Sequence, residues 1–208
     1  HRDLEGLNSV KNLDINQKHI YNATHSVPGN IESYSKKFGK PYIIGEVGYE
    51  WDWSKNFGDF ADGMNMDFRR GLWYGLFCPT PVTPMSWWWE WFDEHGMIPY
   101  IRNARLISDM MLEAGDGRFE FLDTHKDGKA ETYTVKCGNK TFVYVYNGNS
   151  TPLESAKIEL GKTGKVKVSK LDTEKAKLAK AVKVTADGTI TLSALGIAPL
   201  EDAIFVIE

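Results

Sequence analysis

The segment Pro41-Tyr42-Ile43-Ile44-Gly45-Glu46-Val47-Gly48 reads as a short buried strand that ends at an acidic residue. Glycines on both sides of a carboxylate let the backbone and a ligand approach it closely. In a barrel of parallel strands, reactive side chains lie where the strands end and the following loops begin. Glu46 occupies that position, so it is the first candidate for a functional residue. The alternative from position alone is a solvated acid in a loop after a strand.

Strand and helix signals alternate on both sides of this segment. The sequence predicts a strand over residues 12–21, and a short helix over 31–37 that stops at Gly39. Apolar residues recur at helical spacing from Phe57 to Phe77, and a third strand is predicted over 82–89. A last helix runs from about Ile101 and ends with Gly115 as the residue after its C-cap. This order predicts parallel strands joined by helical crossovers.

Three strand-helix units cannot close a barrel on their own. An eightfold barrel takes ~250 residues, far more than this half of the chain offers. The chain opens on His1-Arg2-Asp3, without an initiator Met or a signal peptide, which resembles a cut within a longer protein. We therefore expect the first strands of the barrel to lie upstream; the alternative is that the three units form a small open layer. Until they are present, strand edges would be exposed, and upstream chain or another copy would have to cover them.

The second half of the chain has a different composition. All seven tryptophans lie between Trp51 and Trp91, whereas Lys, Thr and Val dominate after Gly115. Alternating, β-prone runs predict strands at 132–137, 141–146, 165–168, 189–192 and 203–207, with Glu174 to Lys183 as a connecting loop. Short strands at this spacing predict a small antiparallel β-sandwich. The expected fold is α/β plus all-β, with domains at residues 1–114 and 115–208.

Composition excludes several classes of function. The chain has 208 residues and a net charge of -3, which gives no reason to expect nucleic acid as a partner. No apolar run approaches the ~20 residues that span a bilayer. Cys78 and Cys137 lie in different predicted domains, so no disulfide framework is expected, and no spacing of Cys and His indicates zinc. We expect neither a metal nor a cofactor.

Aromatic residues crowd the segments that follow Glu46 and the predicted third strand. Indole and phenol rings can stack on sugars and donate hydrogen bonds to hydroxyl groups. If residues 82–89 form a strand, Trp87 and Trp89 share one side of it and Trp88 takes the other. Core packing is the alternative for each of these rings. Glu90 could bind sugar hydroxyls or cap the following helix.

Three motifs resemble those of clan A glycoside hydrolases, the retaining (β/α)8 enzymes that include family-five cellulases and β-mannanases. Ile44-Gly45-Glu46-Val47-Gly48 is similar to their seventh strand, and His19-Ile20-Tyr21 resembles the His-x-Tyr that ends their sixth strand. Met85 to Glu90 resembles their eighth strand. The motifs stand in the family's order, and the resemblance covers roughly residues 1–113. It implies the C-terminal portion of a (β/α)8 TIM barrel, strands six to eight.

The resemblance implies a role for each matching residue. Glu46 would be the catalytic nucleophile, Tyr21 would hydrogen-bond it and hold it ionised, and His19 would line the site. Trp87 or Trp89 would be the sugar platform. From their loop position alone, Trp51 and Trp53 would contact sugars further along the cleft, and Glu90 is a further candidate for binding substrate.

One departure from the family's pattern is decisive for activity. The family's acid/base is the Glu of an Asn-Glu pair that ends the fourth strand, and these 208 residues contain no Asn-Glu dipeptide. A sugar alkoxide departs poorly without a proton donor. We expect this chain alone to be inactive, and its parent protein to be an O-glycoside hydrolase that degrades β-linked polysaccharide or oligosaccharide.

Two other readings stay open at this point. One is a catalytically inactive relative that binds carbohydrate in the same cleft. The other is a structural cell-surface module in which the sandwich does the work. The likeness is greatest to bacterial multidomain proteins, which implies a secreted, periplasmic or cell-surface location. The sugar, its linkage, and endo or exo action are not fixed by the sequence.

Overall fold

The computed structural model describes residues 5–50 and 61–208, and the chain divides into two compact units at Ile101/Arg102. The sequence placed the boundary later, at 114/115. The difference arises from the helix Pro99–Gly115, most of which belongs to the second unit. There the Asn103 amide donates to the carbonyl of Thr173 at 2.9 Å. A Cβ on Gly115 would lie 3.2 Å from Cβ of Cys137, so the helix end packs directly on a strand.

The first unit alternates strands and helices as the sequence predicts. Its elements are α1 (Glu5–Asn8), β1 (Asn16–Tyr21), a 3-10 turn (Thr24–Ser26), α2 (Val27–Phe38), β2 (Tyr42–Gly48), α3 (Ala61–Phe77), β3 (Met85–Ser86), α4 (Trp89–Glu94) and the start of α5 (Pro99–Gly115). The strands form one sheet in the order β1-β2-β3, and both pairings are parallel. The predicted parallel sheet with helical crossovers is therefore confirmed.

The third predicted strand is much shorter than residues 82–89. Only Met85 and Ser86 pair with β2, and α4 begins at Trp89. The predicted strand alternation of Trp87, Trp88 and Trp89 is therefore wrong. The indole of Trp88 donates to the carbonyl of Tyr49 at 2.8 Å and packs on a cluster of buried side chains that includes Phe92. These contacts favour a turn into helix over further strand pairing.

Two helix ends differ from the prediction for local reasons. Helix α2 begins at Val27, earlier than residue 31, because Pro28 in its first turn has a backbone angle suited to a helix start. It stops at Gly39, as predicted, where a left-handed backbone (φ 61°) lets the amide donate to the Ser35 carbonyl. Helix α5 includes Gly115, and Asp116 (φ 48°) is the first left-handed residue after it.

Helix α3 approaches the sheet through glycines. A Cβ on Gly71 would lie 3.1 Å from the Cγ2 atom of Val47 on β2. A Cβ on Gly75 would lie only 2.6 Å from the backbone Cα of Thr83, just before β3. Because a real Cβ does not tolerate such distances, these glycines set how closely α3 packs on the strands.

The second unit contains the C-terminal part of α5 and the strands β4 (Glu120–Phe121), β5 (His125–Asp127), β6 (Ala130–Cys137), β7 (Lys140–Asn147), β8 (Leu153–Asp172), β9 (Lys177–Leu178), β10 (Val182–Ile197) and β11 (Asp202–Ile207). Eight strands form a sheet whose main path is β10-β8-β11-β7-β6-β4, and every pairing in this unit is antiparallel. Each predicted strand lies within an observed one. Strands β8 and β10 are much longer than predicted, and the predicted loop from Glu174 contains the short strand β9.

The core of the second unit joins strands that are not neighbours in the sheet. Val143 and Val145 of β7 belong to one buried cluster with Ile158 of β8 and Ile190 of β10. On the other face of β7, Phe142, Tyr144 and Tyr146 are buried, as expected for packing residues. Burial also raises the pKa of the Cys137 thiol to about 11, and both cysteines are free. Within the described ranges, no helix is long and apolar enough to cross a membrane.

The close packing at the glycines of α3 can be tested by measuring the free energy of unfolding of glycine-to-alanine variants. We expect Gly75→Ala to destabilise the first unit by about 1–3 kcal/mol, because the new methyl group would press on the Thr83 backbone. Gly29→Ala on α2 is the matched control, since its Cβ meets nothing within 4 Å. It should leave stability unchanged or raise it by about 0.4–1 kcal/mol.

Tryptophan fluorescence during urea unfolding is the appropriate measurement, because all seven tryptophans belong to the first unit. Equal stability of the two variants would contradict the close packing of α3.

Candidate active site

The register of β1 against β2 contains one irregularity, at the residue before Glu46. Lys18 pairs with Ile44, but His19 pairs with Glu46, so Gly45 has no partner on β1. An extra residue of this kind is a β-bulge, which bends a strand and redirects the side chains that follow it.

The bulge decides which face of the sheet carries Glu46. Tyr42 lies on the face covered by helices, because its ring stacks on Tyr34 of α2 with centroids 4.7 Å apart. Side chains alternate along a regular strand, so Ile44 and then Glu46 would point to the same face as Tyr42. The bulge at Gly45 instead turns Glu46 to the opposite face. Val47, after the bulge, again faces a helix.

On that opposite face, Glu46 meets two side chains of β1. The Tyr21 hydroxyl donates a hydrogen bond to Oε2 of Glu46, as the resemblance implied. Nδ1 of His19 lies 3.1 Å from the same oxygen. The Glu46 and His19 side chains keep 17% and 29% of their surface exposed, so a ligand can reach them. The catalytic role of each residue remains a prediction.

The Tyr21 phenol is held in its protonated form. Burial raises the pKa of Tyr21 well above its ordinary value, and the hydrogen bond and negative charge of Glu46 raise it further, with a smaller contribution from Glu50. A phenol in this setting is a permanent hydrogen-bond donor over the ordinary pH range. The arrangement therefore supplies a fixed donor to a carboxylate oxygen.

Gln17 is a member of this cluster that the sequence analysis missed. Its amide nitrogen lies 2.7 Å from Nε2 of His19. A Cβ on Gly45 would collide with the Gln17 amide and lie 3.0 Å from Nε2 of His19. Gly45 is therefore required here for close approach as well as for the bulge. The available signal was the spacing, since residues 17, 19 and 21 share one face of a strand.

Asn22 is a second missed residue, at the end of β1. It has a left-handed backbone (φ 59°), which asparagine tolerates better than most residues. Its backbone N–H donates to the Gly48 carbonyl at 2.8 Å. Its side-chain oxygen accepts from the backbone N–H of Glu50 at 2.9 Å. Asn22 thus joins the loops that follow β1 and β2, close to Glu46.

The predicted aromatic residues divide into packed and exposed groups. Trp88 and Trp91 pack against a buried cluster, whereas Trp87 and Trp89 are 47% and 60% exposed. Trp89 lines an apolar cavity of about 190 Å³ together with Val47, Phe68 and Leu72. Val47 and α3 define the helix-covered face, so these contacts of Trp89 are not on the face of Glu46. Glu90 is exposed in α4.

Trp51 and Trp53 lie outside the described residues. Across residues 5–50 and 61–208, no group of three His, Cys, Asp or Glu side chains could hold a metal ion. The geometry that remains is a carboxylate beside a phenol and an imidazole, at the end of the middle strand of a parallel sheet.

No protein-family model and no curated protein matches this chain. Solved structures do match. One described as a glycoside hydrolase has a TM-score of 0.65 at 13% identity, over 89% of this chain and 46% of its own. A family 5 glycoside hydrolase from Bacteroides vulgatus has a TM-score of 0.64 at 14% identity, over 89% and 45%. A family 30 endoxylanase from Clostridium papyrosolvens has a TM-score of 0.55 at 16% identity, over 94% and 49%.

These similarities concern the fold. The neighbours are TIM-barrel glycoside hydrolases, and this chain spans about half the length of each. The chain therefore shares its fold with about half of each of these glycoside hydrolases.

The contact between Tyr21 and Glu46 can be tested by titrating the phenol. In Glu46→Gln we expect the pKa of Tyr21 to fall, because the negative charge beside the hydroxyl is lost. It should stay above the ordinary value, because burial, the largest cause of the shift, remains. The measurement is NMR of tyrosine labelled with 13C at Cζ. Tyr133 serves as the internal control, since its hydroxyl donates to Glu131 in the other unit. An unchanged Tyr21 pKa in the variant would contradict the contact.

Proposed function

We propose that this chain is the C-terminal part of a retaining clan A glycoside hydrolase, similar to family five, that acts on β-linked polysaccharide or oligosaccharide. Glu46 is its nucleophile. The observation that carries this proposal is the placement of Glu46 by the bulge at Gly45, at the end of a parallel strand, with Tyr21 and His19 on one carboxylate oxygen. Similarity in fold to glycoside hydrolases supports it.

We propose different tasks for the two carboxylate oxygens of Glu46. Among the described residues, the polar contacts of Glu46 all use Oε2. Oε1 is then the oxygen that attacks the anomeric carbon, forming a glycosyl ester as the bond to the leaving group breaks. Tyr21 and His19 stabilise the carboxylate charge before attack and orient the group. Water afterwards releases the sugar, with its proton taken by the same group that had protonated the leaving oxygen.

That acid/base group lies elsewhere in the parent protein. We propose that the first unit supplies barrel strands six to eight, and that the second unit forms an accessory β-sandwich. The first unit supports this assignment, because β1 and β3 each pair only with β2 within the described part of the chain. Around the apolar cavity, Met85, Trp89, Ile98 and Ile101 are all more than 40% exposed. Further helices and strands of the parent, or another copy, would cover these apolar side chains.

Substrate contacts follow from what is exposed near Glu46. We propose His19 and Tyr21 at the cleavage point, and Trp87 as the sugar platform. Trp87 is favoured over Trp89, because Trp89 contacts an apolar cavity on the helix-covered side. Glu90 and Trp51 remain sugar-binding proposals based on sequence. A polymeric substrate also favours a secreted, periplasmic or cell-surface location.

A catalytically inactive carbohydrate-binding relative is the second candidate. It applies if the parent carries no acid where its fourth strand ends, because these residues contain no Asn-Glu pair and supply no acid/base partner for Glu46. The two candidates differ in whether the parent protein turns over substrate.

The test is Glu46→Gln in the parent protein. We expect turnover of β-mannan or β-glucan to fall by at least about 1,000-fold, because an amide cannot form the glycosyl ester. Binding of the same polysaccharide should persist. Glu32→Gln is the matched control, since Glu32 is an exposed acid on α2 paired with Lys36. It should leave both activity and binding unchanged.

Three outcomes separate the candidates. Loss of turnover with binding retained supports the nucleophile. Full activity in Glu46→Gln contradicts it. A wild-type parent that binds the polysaccharides but hydrolyses none of them supports the inactive relative.

A further inference from the structure

We propose that Gln17 is a positioning residue that holds the neutral His19 ring with its proton on Nδ1, so that His19 donates to Glu46. The position of the His19 ring proton does not depend on whether the parent is an enzyme. Its meaning for hydrolysis rests on the proposed function.

The geometry of β1 makes this contact specific. Gln17 and His19 are two residues apart on one strand and therefore point to the same face. The side-chain amide nitrogen of Gln17 lies 2.7 Å from Nε2 of His19. The other ring nitrogen, Nδ1, lies 3.1 Å from Oε2 of Glu46. The ring thus bridges an amide and a carboxylate.

The Gln17 and His19 side chains pack directly against the backbone of Gly45. A Cβ at that position would collide with the Gln17 amide and crowd the His19 ring. The bulge that turns Glu46 to this face therefore also makes room for the side chain that orients its neighbour. Gln17 is the only glutamine in the chain.

The hydrogen-bonding capacities of Gln17 and Glu46 assign the single ring proton of a neutral His19 to Nδ1. A neutral imidazole has one nitrogen that donates and one that accepts. The amide nitrogen of Gln17 can only donate, so Nε2 of His19 accepts and the ring proton is on Nδ1. Nδ1 then donates to Oε2 of Glu46, which already accepts from Tyr21. With the proton on Nε2 instead, a nitrogen lone pair would face the carboxylate.

Two donors on Oε2 would distinguish the oxygens of the proposed nucleophile. One oxygen is held by β1, and the other is left for bond formation. A neutral ring also keeps a positive charge away from Glu46, so the carboxylate stays a better nucleophile than in an ion pair with an imidazolium.

The competing arrangement is an imidazolium with both nitrogens protonated. The Gln17 amide would then be reversed, so that its oxygen accepts from Nε2. A direct observation of the ring protons decides between the two arrangements.

The experiment is a long-range 1H–15N correlation spectrum of the histidines in the 208-residue chain at about pH 7.5. We expect His19 to show a protonated Nδ1 and an unprotonated Nε2. His95 is the internal reference, because its Nδ1 lies 2.8 Å from the Trp91 carbonyl and must also carry a proton there when the two are bonded. A His19 ring with its proton on Nε2, or protonated on both nitrogens, overturns the proposal.

The variant Gln17→Glu tests whether residue 17 determines which nitrogens of the His19 ring carry a proton. A carboxylate can only accept, so we expect the variant to convert His19 to the doubly protonated form, with Nε2 shifted to the position of a protonated nitrogen. The His95 pattern and the dispersed amide spectrum should be unchanged, which shows that the fold is intact. An intact variant with the wild-type His19 pattern overturns the proposal. If the variant does not fold, the wild-type spectrum still decides.

Neither readout involves sugar. A wild-type spectrum as expected, together with a parent protein that lacks glycosidase activity, would retain this inference and reject the proposed function. A parent protein with glycosidase activity, together with a His19 ring whose proton is not on Nδ1 alone, would retain the proposed function and reject the role of Gln17.

Discussion

The candidate site depends on one extra residue in β2. Without the bulge at Gly45, regular alternation would direct Glu46 toward the helices that cover the sheet. A carboxylate there would lie among buried apolar side chains such as Ile44 and Phe68, and an unpaired charge in such surroundings is costly. The bulge instead brings Glu46 to Tyr21 and His19. One glycine thus determines both where the charge lies and what stabilises it.

Several features of the first unit follow from the same constraint. Hydrogen bonds to a charged group contribute about 1.5–3 kcal/mol each, so the donors on β1 stabilise the pairing of the two strands as well as the carboxylate. Asn22 joins the loops beyond the site, which fixes the ends of both strands. Close packing of α3 through Gly71 and Gly75 holds the other face of the sheet. The carboxylate is therefore supported by rigid elements, as a preorganised site requires.

The sequence was informative where chemistry follows from motifs and strong periodicity. Glu46, His19 and Tyr21 were predicted as neighbours, and the parallel sheet and the antiparallel strands were predicted from alternating patterns. The bulge could not be predicted, because the glycine before Glu46 has several conformations open to it and only pairing with β1 selects one. Trp89 was misplaced because Trp87 to Trp89 are β-prone residues whose tertiary contacts favour a turn into α4. The boundary at Ile101/Arg102 was missed because no composition change marks a helix that packs on strands far along the chain.

The central claim is that Glu46 forms a covalent bond to sugar, and mechanism-based labelling tests it most directly. The parent protein would be incubated with 2-deoxy-2-fluoro-β-glycosyl fluorides of the gluco, manno and xylo series. Fluorine at C2 slows both steps through an oxocarbenium-like transition state, and a fluoride leaving group needs no acid. Peptide mass spectrometry should then find one fluoroglycosyl group on Glu46. A protein that hydrolyses β-linked glycan but carries the label on another carboxylate would contradict the account.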